Sequence, residues 1–341
     1  MIESGERVME FIGDIDFIVP WVDGTNSDWQ RQYKNFEKEI VDYDFNGPER
    51  FRSTKNLLVQ WVRGVTQYAE WVHEVVIVVD RLNLPDIPDM LLKNTRVVCH
   101  DEFIPQKFLP TFNSNVIELF IDKVPGISEN FVLFNDDCYV INTLEKKDFF
   151  DLDGVPVDSD TVIPLNTSND YSHILLNNLI LINRDVSFSN YKSRFLRKSL
   201  FHLNKKVLKS MLFILEYGAF VGWHDEHMPI AYRKEDFQQT FKIFENERDA
   251  QGNRRFRSRR DISHLLVRFW RLAKGVYHFR KANHLGVFLQ IENDNEQRSL
   301  KAVLQGDAKV VCINDRKIPE MTAMDINDSL ERIMINYYKG A

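Results

Sequence analysis

Apolar runs and amphipathic stretches alternate over residues 14–140, and each change of period predicts a change of element. Residues 16–22 (DFIVPWV) read as a strand that ends in the polar turn Asp23-Gly24-Thr25-Asn26. Asn26 or Ser27 can cap the charge-rich amphipathic helix predicted over 29–41. A second helix is predicted over 54–71, where Leu57, Leu58, Trp61, Val62 and Val65 keep helical spacing. The β-branched run at 74–79 (EVVIVV) has the pattern of a parallel strand buried on both faces, and it stops at Asp80. Further strands are predicted at 96–100 and 131–134, with a helix over 114–123 between them.

This order implies βαβ units: an α/β chain with a mostly parallel sheet. Ligands of such sheets bind beyond the carboxyl ends of the strands. Asp23, Asp80 and the pair Asp136 and Asp137 all stand at ends of that kind. The second half is less regular. It suggests strands at 161–165 and 179–182, and a helix with a basic face over 190–217. A strongly amphipathic helix is expected over 263–277, three short strands within 285–313, and a closing helix over 326–337. No flexible linker separates the halves.

Composition narrows the class. The 341 residues are 44% hydrophobic and 28% charged, ordinary for a globular chain able to bury a large core. A net charge of −6 argues against a nucleic-acid binder. Three widely spaced cysteines (Cys99, Cys138, Cys312) form no disulfide framework and no metal-ligand spacing, which fits a reducing cytosol. The N-terminus lacks the apolar run of a signal peptide, and no apolar stretch is long enough to span a membrane.

The candidate chemistry gathers at a few places. Asn135-Asp136-Asp137 follows an apolar strand. Adjacent carboxylates there can hold Mg²⁺ or Mn²⁺ against diphosphate oxygens, or one can accept a proton; a solvated turn is the alternative. Trp21-Val22-Asp23-Gly24 can stack on a base or hold a ribose hydroxyl, or it is a turn behind a core Trp. Asn113 or Ser114 would cap a helix whose free amides suit a phosphate. His224-Asp225-Glu226-His227-Met228-Pro229 has the wrong spacing for a helical zinc pair, and a single His near phosphate fits better. Five arginines in residues 254–260 (RRFRSRR) could clamp a diphosphate, with Arg50, Arg52 and Arg63 adding to them; a solvated basic loop is the alternative. The glycine-rich phosphate loops of dehydrogenases and P-loop kinases are absent.

Taken in order, these blocks resemble the Stealth family of sugar-phosphate transferases, along most of the chain. The first block is residues 15–24 (IDFIVPWVDG). The second runs from Arg50-Phe51-Arg52-Ser53 and Trp61-Val62-Arg63 through residues 109–114 (LPTFNS), Ile117-Glu118 and residues 125–128 (PGIS) to residues 134–137 (FNDD). The third is His227-Met228-Pro229 with Phe256-Arg257-Ser258 and Asp261, and the fourth is residues 311–315 (VCIND). Pro20 and Gly64 depart from the usual Thr and Ser, and Gly64 puts a hydroxyl contact there in doubt.

The resemblance implies a Rossmann-like, GT-A-like sheet with helices on both faces and a packed, mainly helical C-terminal part. Residues 1–150 would form a nucleotide-sugar-binding half and residues 151–341 would complete one integrated catalytic domain. It implies transfer of a sugar-1-phosphate from a nucleotide-sugar, commonly UDP-linked, to a saccharide hydroxyl, releasing nucleoside monophosphate. An ordinary glycosyltransferase releasing diphosphate is the alternative. Asp136, Asp137, His227 and Arg257 would be catalytic, with Mg²⁺ or Mn²⁺ at Asp136 and Asp137. Trp21, Val22, Asp23, Gly24, Arg52, Arg63, Asn113, Ser114 and Asn135 would hold substrate. The partners would be a nucleotide-sugar donor and a glycan or lipid-linked glycan acceptor, with no nucleic acid, in the cytoplasm or at the inner face of the membrane.

Overall fold

The computed structural model describes residues 13–42, 45–47, 51, 55–91, 93–166, 171–199, 203–291, 295–315 and 320–340. Arg50 and Arg52, expected near phosphate, lie outside them.

In chain order the first half contains β1 (Ile15–Pro20), α1 (Ser27–Phe36), α2 (Lys55–Tyr68), β2 (Val75–Val79), β3 (Thr95–Cys99), α3 (Ser114–Leu119), β4 (Asn130–Leu133) and β5 (Cys138–Val140). Then come β6 (Val157–Asp158), α4 (Tyr171–Asp185), α5 (Phe188–Ser199), α6 (Lys205–Glu216), β7 (Ile230–Arg233), α7 (Lys234–Ile243), α8 (Glu245–Gly252) and α9 (Leu265–Lys274). The chain closes with β8 (His278–Phe279), β9 (Gly286–Ile291), α10 (Asn295–Leu304), β10 (Val310–Asp315) and α11 (Glu320–Gly340).

The main sheet has the order β3-β2-β1-β4-β7. Its first four strands are parallel, and β7 joins β4 antiparallel. The chain moves outward from β1 through β2 to β3, then returns to place β4 on the other side of β1. The carboxyl ends of β1 and β4 therefore lie side by side at a topological switch point, where such folds leave a crevice. A second sheet, β5-β10-β9, starts directly after the Asn135–Asp137 turn and sets Cys138 opposite Cys312.

Strand alternation sorts the core into two layers. Phe17, Val19, Ile77 and Val79 pack with Trp61 and Val62 of α2 and Met334 of α11. Ile18, Val76 and Val78 pack with Val116 of α3, Ile182 of α4 and Leu266 of α9. All of these side chains are sealed from water, and each contributes roughly 1.5–3 kcal/mol. Beneath the second layer, Asp158 of β6 receives Arg268 at 2.9 Å and Arg271 at 2.6 Å, tying β6 to α9.

Several expectations are corrected. Residues 179–182 (LILI) lie inside α4, whose Ile174, Asn178 and Ile182 recur at helical spacing on its buried face. Residues 161–165 form no strand beyond a single bridge from Val162 to Trp223. Among the described residues, the helix expected over 190–217 is two, α5 and α6, and the region 285–313 holds two strands flanking α10 rather than three strands. α1 stops at Phe36, where a 3-10 turn takes over; Asn26 is its cap, accepting from Asp28 N and Trp29 N.

Candidate active site

A cavity of about 620 Å³ opens at the switch point. Its walls come from the ends of β1 (Trp21, Val22) and β2 (Asp80), the start of α3 (Ser114), the turn after β4 (Asn135, Asp136, Asp137), and two segments of the second half that carry His227 and Arg257. Segments far apart in the chain thus face one space.

His227 sits in the turn before β7 with φ of 52°, a left-handed backbone unusual outside glycine. Asp225 Oδ1 accepts its backbone N–H at 3.1 Å, which holds that turn. The imidazole Nε2 lies 3.7 Å from Asp137 Oδ2 and 3.4 Å from the Asn135 amide. Asn314, at the end of β10, donates to Asp137 Oδ2 at 3.4 Å. Burial opposes charge on His227, but the Asp137 carboxylate and the Cys312 sulfur outweigh it and push its pKa up to about 11. Burial likewise resists ionisation of Asp137, and the His227 contact reverses that, holding it below the usual carboxylate range. At neutral pH the pair is an imidazolium beside a carboxylate: one hydrogen-bond donor and one acceptor aimed at the cavity.

Arg257 donates a hydrogen bond to the Ser114 hydroxyl, and the two side chains line the cavity together. Its loop is pinned by Asn46, which accepts from Arg257 N at 3.0 Å and donates to Arg257 O at 2.8 Å. A further polar group lies along the same wall. Glu118, one turn after Ser114 on α3, stands 3.6 Å from His264 Nε2, and His264 Nδ1 meets the Tyr232 hydroxyl at 2.8 Å. Burial lowers the His264 pKa. His100, just past β3, borders the cavity with both ring nitrogens unpartnered among the described residues, and burial pulls its pKa down to about 3.

Two of the curated relatives decide the family. A capsular polysaccharide phosphotransferase (WcwK) of Streptococcus pneumoniae is 31% identical over 97% of this chain and 96% of its own length. An exopolysaccharide phosphotransferase (cps2G) of Lactiplantibacillus plantarum is 32% identical over 89% of this chain and 88% of its own. The chain belongs to the Stealth family of polysaccharide phosphotransferases. The profile of Stealth protein CR2, conserved region 2, matches residues 50–158. A receptor polysaccharide phosphotransferase (WefC) of Streptococcus gordonii is 29% identical over 88% of the chain and 90% of its own. Among solved structures, the galactosyltransferase LgtC in complex with donor and acceptor sugar analogs is similar at a TM-score of 0.39 and 8% identity, over 95% of both chains.

In this Stealth protein, Trp21, Val22, Ser114, Asn135, Asp136, Asp137, His227 and Arg257 share the cavity. Four other candidates stand behind or beside its wall. Asp23 is buried and accepts from Thr25 N and Oγ1. Gly24 presses on Phe51, where a Cβ would come within 1.6 Å of the carbonyl oxygen. Asn113 is fully buried, bonding the 254–261 loop. Arg63 turns to Gln60 on α2. Of the five arginines in residues 254–260, Arg257 lines the cavity; Arg254 bonds Gln251, and Arg255 pairs with Glu39 over the Phe36 ring.

Sequence reasoning gave no role to Glu118, His264, His100, Asn314 or Cys312. Glu118 was findable, since i and i+4 share a helix face with Ser114. Cys312 was not: pairing of β5 with β10 brings it beside Asp137. The ligand atoms of Asp137, His227 and Cys312 all lie within 4.8 Å of one another, a mixed O, N and S set softer than Mg²⁺ or Mn²⁺ prefers. Asp136 and Asp137 do supply two carboxylates at the wall, the complement a hard cation uses together with substrate phosphates. Among the described residues, no helix is long and apolar enough to cross a membrane.

Proposed function

We propose that the chain transfers a sugar-1-phosphate from a UDP-sugar to a saccharide hydroxyl in the synthesis of a cell-surface polysaccharide. The observation that carries this reading is the convergence of His227, Arg257, Asp136 and Asp137 on one cavity at the switch point. Phosphoryl transfer needs little covalent help from the protein; it needs positioning and charge neutralisation.

The acceptor oxygen attacks the β-phosphorus, the bond from that phosphorus to the bridging oxygen breaks, and uridine monophosphate leaves. Arg257, a planar cation, takes phosphoryl oxygens, with Ser114 setting its direction. The His227 imidazolium donates to another phosphate oxygen. A carboxylate of the Asp136–Asp137 pair accepts the acceptor's proton. The same two residues would hold Mg²⁺ or Mn²⁺, which when bound supplies further neutralisation of the diphosphate. Trp21 and the unpartnered nitrogens of His100 suit the nucleobase at the strand ends, one by stacking and the other by hydrogen bonding. The reaction belongs in the cytoplasm, where the buried free cysteines stay reduced.

A panel of UDP-hexoses and UDP-N-acetylhexosamines, offered with saccharide acceptors, tests the proposal. Acceptor-dependent release of uridine monophosphate is expected. Release of the diphosphate instead would make the chain a glycosyltransferase.

A further inference from the structure

Helix α6 turns two opposed faces to its surroundings. Val207, Ser210 and Ile214 point inward and are buried. Leu208, Leu212 and Leu215, spaced i, i+4 and i+7, form an outward stripe and are 51%, 65% and 54% exposed. Leu203 before the helix and Tyr217 after it extend the apolar surface at 57% and 44% exposure. A leucine stripe of this kind on the outside of a folded chain marks a surface meant to be covered.

Charge says what covers it. Residues 188–215, which contain α5 and all but the end of α6, hold seven Lys or Arg and no Asp or Glu. The rest of the chain carries 37 Lys and Arg against 50 Asp and Glu, so the positive charge is concentrated here. Helical spacing puts Lys205 and Lys209 along one flank of the leucine stripe, and both are exposed, as are Lys206 of α6 and Arg197 of α5. Leucines flanked by lysines, whose stems can lie along apolar surface while their heads stay wet, match the interface of an anionic bilayer.

We propose that α6 is an interfacial helix that seats the protein on an anionic phospholipid surface, with Leu208, Leu212 and Leu215 entering the headgroup boundary. The proposal concerns a binding surface and does not depend on which group the cavity transfers.

The test is co-sedimentation of the full chain with large unilamellar vesicles of phosphatidylcholine, alone or with about one third phosphatidylglycerol. Binding is expected to the mixed vesicles, to weaken as salt rises, and to be slight on the neutral ones. Leu208→Gln/Leu212→Gln/Leu215→Gln should bind about a hundredfold less, since three half-exposed leucines are removed. Lys205→Glu/Lys209→Glu should lose the preference for phosphatidylglycerol. Circular dichroism and melting temperature should be unchanged, because all five side chains are exposed. Equal sedimentation with and without vesicles would overturn the proposal, as would unimpaired binding by the leucine variant. So would a concentration-dependent dimer that the leucine variant abolishes in the absence of any vesicle binding. Because no substrate enters the assay, its failure would leave the transfer reaction untouched, and failed transfer would leave the vesicle result standing.

Discussion

Asn113 offers the sharpest test of how the cavity is assembled. Its side-chain amide donates to Arg254 O and Phe256 O at 3.1 Å and to Asp261 Oδ2 at 2.8 Å, while its Oδ1 caps α3 by accepting from Asn115 N at 3.1 Å. One buried side chain therefore fastens the Ser114 helix to the Arg257 loop. Asn113→Ala forfeits about 1 kcal/mol for the neutral bonds, about 2 for the bond to a carboxylate and about 1 for the cap, roughly 4 kcal/mol in all. Asn113→Asp keeps the shape and the cap but sets a carboxylate against Asp261. At an effective dielectric near 20 that repulsion is about 4 kcal/mol, on top of the lost donor. Urea unfolding followed by tryptophan fluorescence at pH 8 should thus rank Asn113→Asp at or below Asn113→Ala in stability. Adding Asp261→Asn to Asn113→Asp should restore at least half the loss. An Asn113→Asp protein within about 1 kcal/mol of the parent, or one that Asp261→Asn makes worse, would refute the reasoning.

Asp137→Asn, His227→Ala and Arg257→Ala should each cost on the order of 3 kcal/mol or more of transition-state stabilisation, read as a fall in kcat/KM beyond about a hundredfold; near-normal turnover in all three removes the site. Gly24→Ala must displace the Phe51 carbonyl, so it should destabilise by about 2 kcal/mol and raise the donor KM, and a neutral outcome in both assays contradicts the packing. Burial works against the Asp158 carboxylate, yet Arg268 and Arg271 hold its pKa well below the ordinary value. A depressed carboxylate pKa gives stability that is complete above about pH 4 and is lost as pH falls further. Asp158→Asn should therefore lower the urea midpoint at pH 7 and flatten its decline below about pH 4; an unchanged decline counts against the ion cluster. His100→Phe should raise the KM for a UDP-sugar about tenfold with the acceptor KM unchanged, and an unaltered donor KM would remove His100 from the base site.

How much was legible follows from burial. β1, β2 and β4 are covered on both faces, so apart from the buried Asp16 of β1 and Asn130 at the start of β4 they appear in the sequence as apolar runs ending in polar turns. β7 is four residues, IAYR, and nothing local distinguishes it from a loop; only its pairing with β4 makes it a strand. The run at 179–182 misleads because four apolar residues fit either period, and the deciding residues, Ile174 and Asn178, lie outside it. At the site, the acids stood out by following apolar strands, whereas His227 stood out through the ligand-rich run 224–229 and the family resemblance, because the strand after it is not legible. The dense arginine run overstated the clamp, because Arg254 and Arg255 spend their charge on holding the loop. Asn113 misled in the other direction, since a capping residue gives no sign that its amide is turned into the interior.

Where the phosphorus goes decides the account. A UDP-sugar labelled at the β-phosphorus, incubated with enzyme and saccharide acceptor, should pass its label to the glycan as an alkali-labile or phosphodiesterase-sensitive linkage, leaving unlabelled uridine monophosphate. Label retained on a uridine diphosphate product, with unlabelled glycan extended by a sugar, would contradict it.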